Sequence, residues 1–231
     1  MKYKNIKKGI FIERPNRFIA KVLIDNNEET VHVKNTGRCK ELLIKGTTVY
    51  LEKSENTTRK TKYDLIATEK MLPCGEKTLI NMDSTAPNEA AFEWIKESGI
   101  FSGNAKVKRE VFFGESRFDL YVSDGERKAF IEVKGVTLEN DGVAMFPDAP
   151  TERGIKHLNS LVKSISEGYE AYVLFVIQMK GIKAFKPNDT MHKAFGDALR
   201  YAKSEGVKIL AMDCIVTPGT MTIDKEIDVI L

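Results

Sequence analysis

At 231 residues the chain is long enough for one large domain or two small ones, each with its own core. A hydrophobic content of 42% beside 30% charged residues is that of an ordinary soluble globular protein. No run of about 18 apolar residues is present to cross a membrane. The net charge of +3 hides an asymmetry: residues 1–80 hold 17 Lys/Arg against 10 Asp/Glu, and residues 81–231 hold 19 against 23. A basic first third joined to a mildly acidic remainder points to a phosphate-facing module attached to something else. Residues 1–15 are basic but lack an apolar segment and a small-residue cleavage site, which excludes a signal peptide. Cys39, Cys74 and Cys214 are odd in number and scattered, so neither a zinc pattern nor a disulfide framework is expected, which suits a reducing cytoplasm.

The first third reads as short strands over residues 9–13, 17–24, 29–33, 47–52 and 62–68, split by Arg14-Pro15-Asn16 and Asp25-Asn26-Asn27. A helix-like piece at residues 39–44 separates the third strand from the fourth. Five strands with that insertion follow the plan of an OB-like five-stranded β-barrel, often used for oligonucleotides and also for oligosaccharides. Asn35, Thr36, Gly37 and Arg38 precede the insertion, where backbone N–H groups and a glycine can receive a phosphate. Arg59 and Lys60 add adjacent charge in a loop. Turn formers without periodicity fill residues 70–87, placing a boundary near residue 80, with domains at 1–80 and 81–231.

The second domain opens on a helix over residues 88–98, with Asn88 as its cap and Ala91, Trp94 and Ile95 inward. Glu89, Glu93 and Glu97 form its opposite stripe. A strand follows at residues 106–113, with Glu110 inside it. The central feature is residues 117–134, two β-rich runs joined by the turn signal Asp124-Gly125. Alternation puts Phe118, Leu120 and Val122 on one face, and Arg117, Asp119 and Tyr121 on the other. In the second run Ala129, Ile131 and Val133 alternate against Phe130, Glu132 and Lys134. Pairing of Ser123 with Lys128 sets Asp119 opposite Glu132; a two-residue loop makes them diagonal, and a three-residue loop splits them between faces.

Two carboxylates on adjacent strands can neutralise a hard cation such as Mg²⁺ or Mn²⁺, which prefers oxygen and keeps several waters. Lys134, two positions beyond Glu132, can orient a water or stabilise phosphorane charge. Asp-x12-Glu-x-Lys on a hairpin resembles the core of the PD-(D/E)XK nuclease superfamily, although Phe118 stands where its name has proline. A loop-rich stretch at 135–148 then leads to a helix capped by Thr151, carrying Arg153 and His157 one turn apart. An apolar run at 171–178 reads as a buried parallel strand, with Gln178 at the end where active-site groups gather. A helix at 190–205, a strand at 207–212 and two short strands around Pro218-Gly219 complete the chain.

Over nearly its whole length the sequence resembles the sugar fermentation stimulation protein family. The residues that carry the resemblance are Arg17-Phe18 with Ala20, Asn35-Thr36-Gly37-Arg38, Arg59-Lys60, Pro87-Asn88 and Ser116-Arg117-Phe118-Asp119. They continue through Glu132-Val133-Lys134-Gly135-Val136-Thr137-Leu138, Phe146-Pro147-Asp148-Ala149, Thr151-Glu152-Arg153-Gly154 and Lys156-His157-Leu158. The resemblance implies a mixed α/β chain in which an OB-like domain precedes a restriction-endonuclease-like α/β domain. It also implies DNA binding without marked sequence preference and a link to sugar use, maltose in particular.

Two functions follow as expectations. One is a metal-dependent nuclease acting on DNA or RNA. In it Asp119 and Glu132 hold Mg²⁺ or Mn²⁺, the Val133 carbonyl completes the shell, and Lys134 positions water. Gln178, Arg153 and His157 then contact phosphate, Arg117 adds nucleic-acid contact, and the third acidic ligand is left open among Glu89, Glu93 and Glu110. The other is a non-catalytic DNA-binding regulator. An oligosaccharide binder is a third reading, which the excess of Lys and Arg does not encourage.

Overall fold

The computed structural model describes every residue except 36, 57, 72–74 and 76, so Thr36 and Cys74 lie outside the described residues. Strands β1 (Ile6–Glu13), β2 (Ile19–Ile24), β3 (Asn27–Val33), β4 (Thr48–Lys53) and β5 (Tyr63–Met71) form an antiparallel sheet in the order β3-β2-β1-β4-β5. A parallel pairing of β3 with β5, His32 to Asp64 and Val33 to Leu65, closes it into a five-stranded OB barrel. Val22, Val31, Val49, Leu51 and Leu65 fill the interior because alternate positions of each strand face inward. The expected helix at residues 39–44 is a single turn, in which the Leu42 and Leu43 N–H groups donate to the Cys39 carbonyl. Part of the stretch read as aperiodic is strand β6 (Lys77–Asn81), which extends the barrel sheet alongside β5. Its side chains alternate poorly in polarity, so the period-2 signal is weak there.

The second domain is a six-stranded sheet in the order β15-β14-β12-β9-β8-β7, covered on both faces by helices. Its strands are β7 (Lys106–Phe113), β8 (Ser116–Asp124), β9 (Arg127–Val136), β12 (Glu170–Ile177), β14 (Lys208–Thr217) and β15 (Thr220–Glu226). β9, β12 and β14 run parallel and are buried on both faces, as their apolar runs require. Helix α1 (Ala86–Ile95) packs on one face, and α2 (Glu152–Ser166) with α3 (Asp189–Ser204) on the other. A side sheet is formed by β10 (Glu139–Asn140), β11 (Val143–Phe146), β13 (Ala184–Pro187) and β16 (Asp228–Val229), of which β10 and β11 lie in the stretch expected to be loop-rich. Among the described residues no helix is long and apolar enough to cross a membrane.

Helix α1 starts at Thr85 and not at Asn88; Pro87 sits in the first turn, where its missing N–H costs nothing. Thr151 caps α2 as expected, accepting from the Gly154 N–H at 3.0 Å. The two domains are joined by buried polar contacts. Asn81 N–H donates to the Gln178 carbonyl, and the Gln178 side-chain amide donates to the Asn81 and Asp83 carbonyls and to Asn81 Oδ1. Lys34 Nζ meets the buried Asp83 carboxylate at 2.7 Å.

Candidate functional site

The hairpin of β8 and β9 pairs Ser123 with Lys128, and the same register continues to Leu120 and Ile131. One step further places Asp119 opposite Glu132, but the ladder stops before that pair. β7 interrupts there too: Glu110 takes φ 54° between the pairs Arg109–Leu120 and Val111–Phe118. The alternation of β8 changes phase at this point. Phe118 packs against Phe130 and His157 on the α2 face, whereas Leu120 and Val122 belong to the α1 face. The expectation that Phe118, Leu120 and Val122 share a face is therefore corrected, because the irregular backbone at Asp119 turns the strand.

That irregularity frees the Asp119 side chain to replace a missing ladder bond. Its Oδ2 accepts the Val133 N–H at 2.8 Å, and its Oδ1 accepts Asn88 Nδ2 of α1 at 2.7 Å. Glu132 reaches α2 instead: its Oε1 accepts Lys134 Nζ at 2.5 Å and hydrogen-bonds His157 Nδ1. His157 is fixed from behind by Arg153, whose Nε donates to its Nε2 at 3.3 Å. Glu132 Oε2 is buried and has no hydrogen-bond partner among the described residues.

Burial and the neighbouring Glu132 charge push the Asp119 carboxyl above the ordinary aspartate range. Burial works in the same direction on Glu132, but the His157 and Lys134 contacts outweigh it and hold that carboxyl low. Two acids whose environments drive them apart, beside a half-buried lysine, form a polarised pair of the kind found where charge must be handled.

Other candidates are committed elsewhere. Glu89 forms a two-pronged pair with Arg109, at 2.6 and 2.8 Å, and Glu93 takes the N-terminal ammonium at 2.5 Å. Glu110 is exposed and pairs with Arg117 at 3.5 Å. Among the described residues no group of three or more His, Cys, Asp or Glu is arranged to hold a metal ion. Gln178 spends its amide on the domain junction and not on an open face. His157 is 6% exposed, so it positions Glu132 where phosphate contact was expected. Arg59 makes a bidentate pair with Asp64, at 2.6 and 2.8 Å, and His32 shares that carboxylate at 2.8 Å; Lys60 is exposed.

Three participants were given no part in the site from sequence. Asn88 was read as a cap, yet its amide touches Asp119. Arg14 was read as part of a turn. Its guanidinium donates to the carbonyls of Arg17, Asn35, Gly37 and Arg38 at 2.6–2.8 Å, tying the β1–β2 loop to the loop after β3. Asp83 was not noted at all. It is 1% exposed and anchors Lys34, Tyr3 and Thr85. Of these, only the Pro87-Asn88 pairing carried a signal in the sequence.

The fold and site define a two-domain protein, an OB barrel joined to a mixed α/β domain with an acid pair and a lysine on its central hairpin. A family model described as the SfsA N-terminal OB domain matches residues 12–82, and one described as the sugar fermentation stimulation protein RE domain matches residues 85–220. The sugar fermentation stimulation protein homolog of Ruminiclostridium cellulolyticum is 57% identical over 229 residues, covering 99% of each chain. That of Clostridium beijerinckii is 55% identical over 231 residues, covering 100% of each. The solved structure of Pyrococcus furiosus SfsA in complex with Ca²⁺ superposes with a TM-score of 0.86 at 28% identity, covering 100% of this chain and 98% of that one. The chain belongs to the sugar fermentation stimulation protein family.

Proposed function

We propose that this chain is a DNA-binding protein whose Asp119–Glu132–Lys134 site holds a divalent cation and hydrolyses phosphodiester bonds in nucleic acid. The observation that carries this reading is Glu132 Oε2, a buried carboxylate oxygen without a partner beside a second carboxylate. An orphaned anionic oxygen costs several kcal/mol unless something positive meets it, on the order expected for buried charge. Asp119 and Glu132 fit Mg²⁺ or Mn²⁺, since Mg²⁺ is commonly held by one or two carboxylates with the rest of its shell water. The Pyrococcus furiosus relative was solved with Ca²⁺, another hard cation, which supports the same class of ligand here. A bound cation would supply neutralisation of the phosphate and activation of water.

The chain's own residues do the rest. Asn88 and the Val133 N–H aim Asp119, and His157, backed by Arg153, aims Glu132. Lys134 Nζ lies against Glu132 Oε1, positioned to orient the attacking water or to meet charge gathering on the phosphate.

One observation favours a second reading, a non-catalytic DNA-binding regulator of sugar (maltose) metabolism: α1 offers Asp119 the amide of Asn88 and no third carboxylate. Incubation with single- and double-stranded DNA and RNA, with Mg²⁺ or Mn²⁺, separates the two. Cation-dependent cutting that disappears in Asp119→Ala supports the nuclease. Cutting that persists in the variant excludes this site, and cation binding without cutting supports the regulator.

A further inference from the structure

A cleft of about 390 Å³ lies between the domains. Arg17, Asn35 and Gly37 line it from the barrel; Gly135, Phe146 and Gln178 are among its lining from the α/β domain. A second groove on the barrel, lined by Arg17, Gly37, Arg38 and Lys40, shares two of those residues and continues the first. Their chemistry is graded. On the outer groove Arg17, Arg38 and Lys40 are exposed, and no acidic side chain among the described residues pairs with any of them. Arg14 holds their loops by four carbonyls, so these cations stand on a fixed frame.

Inside the cleft the sign reverses. Gln178 is 2% exposed; its amide nitrogen makes three hydrogen bonds, while no donor among the described residues reaches its Oε1. That oxygen lies close to Gly135, where a Cβ would fall 2.6 Å from it, and Gln178 is among the residues lining the cleft. Asp148 adds a carboxylate on the same cleft, against Gly37. Met145, Phe146 and Pro147 supply apolar wall.

We infer that this cleft takes an unpaired, amine-bearing base of a single-stranded nucleic acid whose backbone runs over Arg17, Arg38 and Lys40. The inference rests on the nucleic-acid reading above and adds its substrate class. A phosphate carries only acceptors and is repelled by Gln178 Oε1 and Asp148. The exocyclic amines of adenine, cytosine and guanine are donors and satisfy them. The base edge that carries those amines is free in an unpaired base and is occupied by the partner base in a duplex.

Fluorescence anisotropy in EDTA tests this without any cutting. The probes are labelled oligo(dA), oligo(dC), oligo(dT), oligo(rA) and a hairpin duplex. Oligo(dA) and oligo(dC) bind at least about fivefold tighter than oligo(dT) and about tenfold tighter than the duplex, and oligo(rA) shows whether the sugar matters. Arg17→Ala, on an exposed side chain that lines both grooves, weakens single strands and lowers the salt slope by about one unit. Asp148→Asn narrows the preference for amine-bearing bases. A duplex that binds as tightly as oligo(dA), or oligo(dT) that matches it, overturns the inference whatever the variants do. Because cutting is measured separately, a nuclease that prefers duplex leaves the function standing and this inference refuted.

Discussion

Lys134 Nζ donates to Glu132 Oε1 at 2.5 Å, and His157 shares the same oxygen, so one arm of this carboxylate is doubly held while the other is buried and bare. The arrangement fixes the rotamer of Glu132 before any ligand arrives. A site aimed in advance loses less ordering entropy on binding than one that must be assembled.

Calorimetric titration with Mn²⁺ or Ca²⁺ reads this relationship directly. Glu132→Gln is expected to remove measurable binding. His157→Ala keeps both carboxylates but releases Glu132, and is expected to weaken binding by about 10–100-fold, the range for partners that orient a metal ligand. Unchanged affinity in His157→Ala would show that the helix contact is packing alone.

Two of the arginines expected on nucleic acid, Arg38 and Arg59, should now behave differently. Arg38→Ala is expected to lower the slope of log affinity against log salt by about one unit, as loss of one phosphate contact does. Arg59→Ala should leave that slope unchanged, because its guanidinium is committed to Asp64. It is instead expected to cost about 1–3 kcal/mol in urea unfolding, since Asp64 is left buried with only His32 beside it.

Glu170 supplies the pH dependence. Arg127, then Lys208 and Tyr172, push its carboxyl down to about 2, tying the start of β12 to β9 and β14. A depressed acid stabilises the fold above its unfolded pKa of about 4.3 and loses that contribution as pH falls through its folded value. Because Arg127 and Lys208 are well exposed, screening reduces the effect, and Glu170→Gln is expected to cost only about 1 kcal/mol at pH 7. The gap between wild type and variant should close between about pH 5 and pH 2 in a denaturation series.

Gly135→Ala tests the junction from the cleft side. Its Cβ would lie 2.6 Å from Gln178 Oε1 and 2.7 Å from Pro87 Cγ, so either the amide or the start of α1 must shift. A loss of about 1–3 kcal/mol in thermal or urea unfolding is expected, typical of overpacking. Wild-type stability would mean that the domains separate easily at this point.

Much of the fold was legible because its signals are local. The OB strands announce themselves by alternation and by turn clusters such as Asp25-Asn26-Asn27, which closes the β2–β3 hairpin with positive φ at Asp25 and Asn26. The helix after Thr151 and the apolar run of β12 are equally local. Strands β10, β11, β13 and β16 were missed because each is two to four residues long and is defined by partners far away in the chain.

The candidate site divides along the same line. Sequence alone determined that Asp119, Glu132 and Lys134 share one hairpin, because the turn signal joins two β-rich runs within eighteen residues, while the choice among loop lengths that fixes the register came from the structure. Only the tertiary structure decided what each would touch. Asn88, His157 and Arg153 come from helices on opposite faces of the sheet, and Asp119 turns where two ladders break together. The Asn88–Asp119 and His157–Glu132 contacts span 31 and 25 residues, and the charge each group carries depends on burial and neighbours that no local pattern encodes.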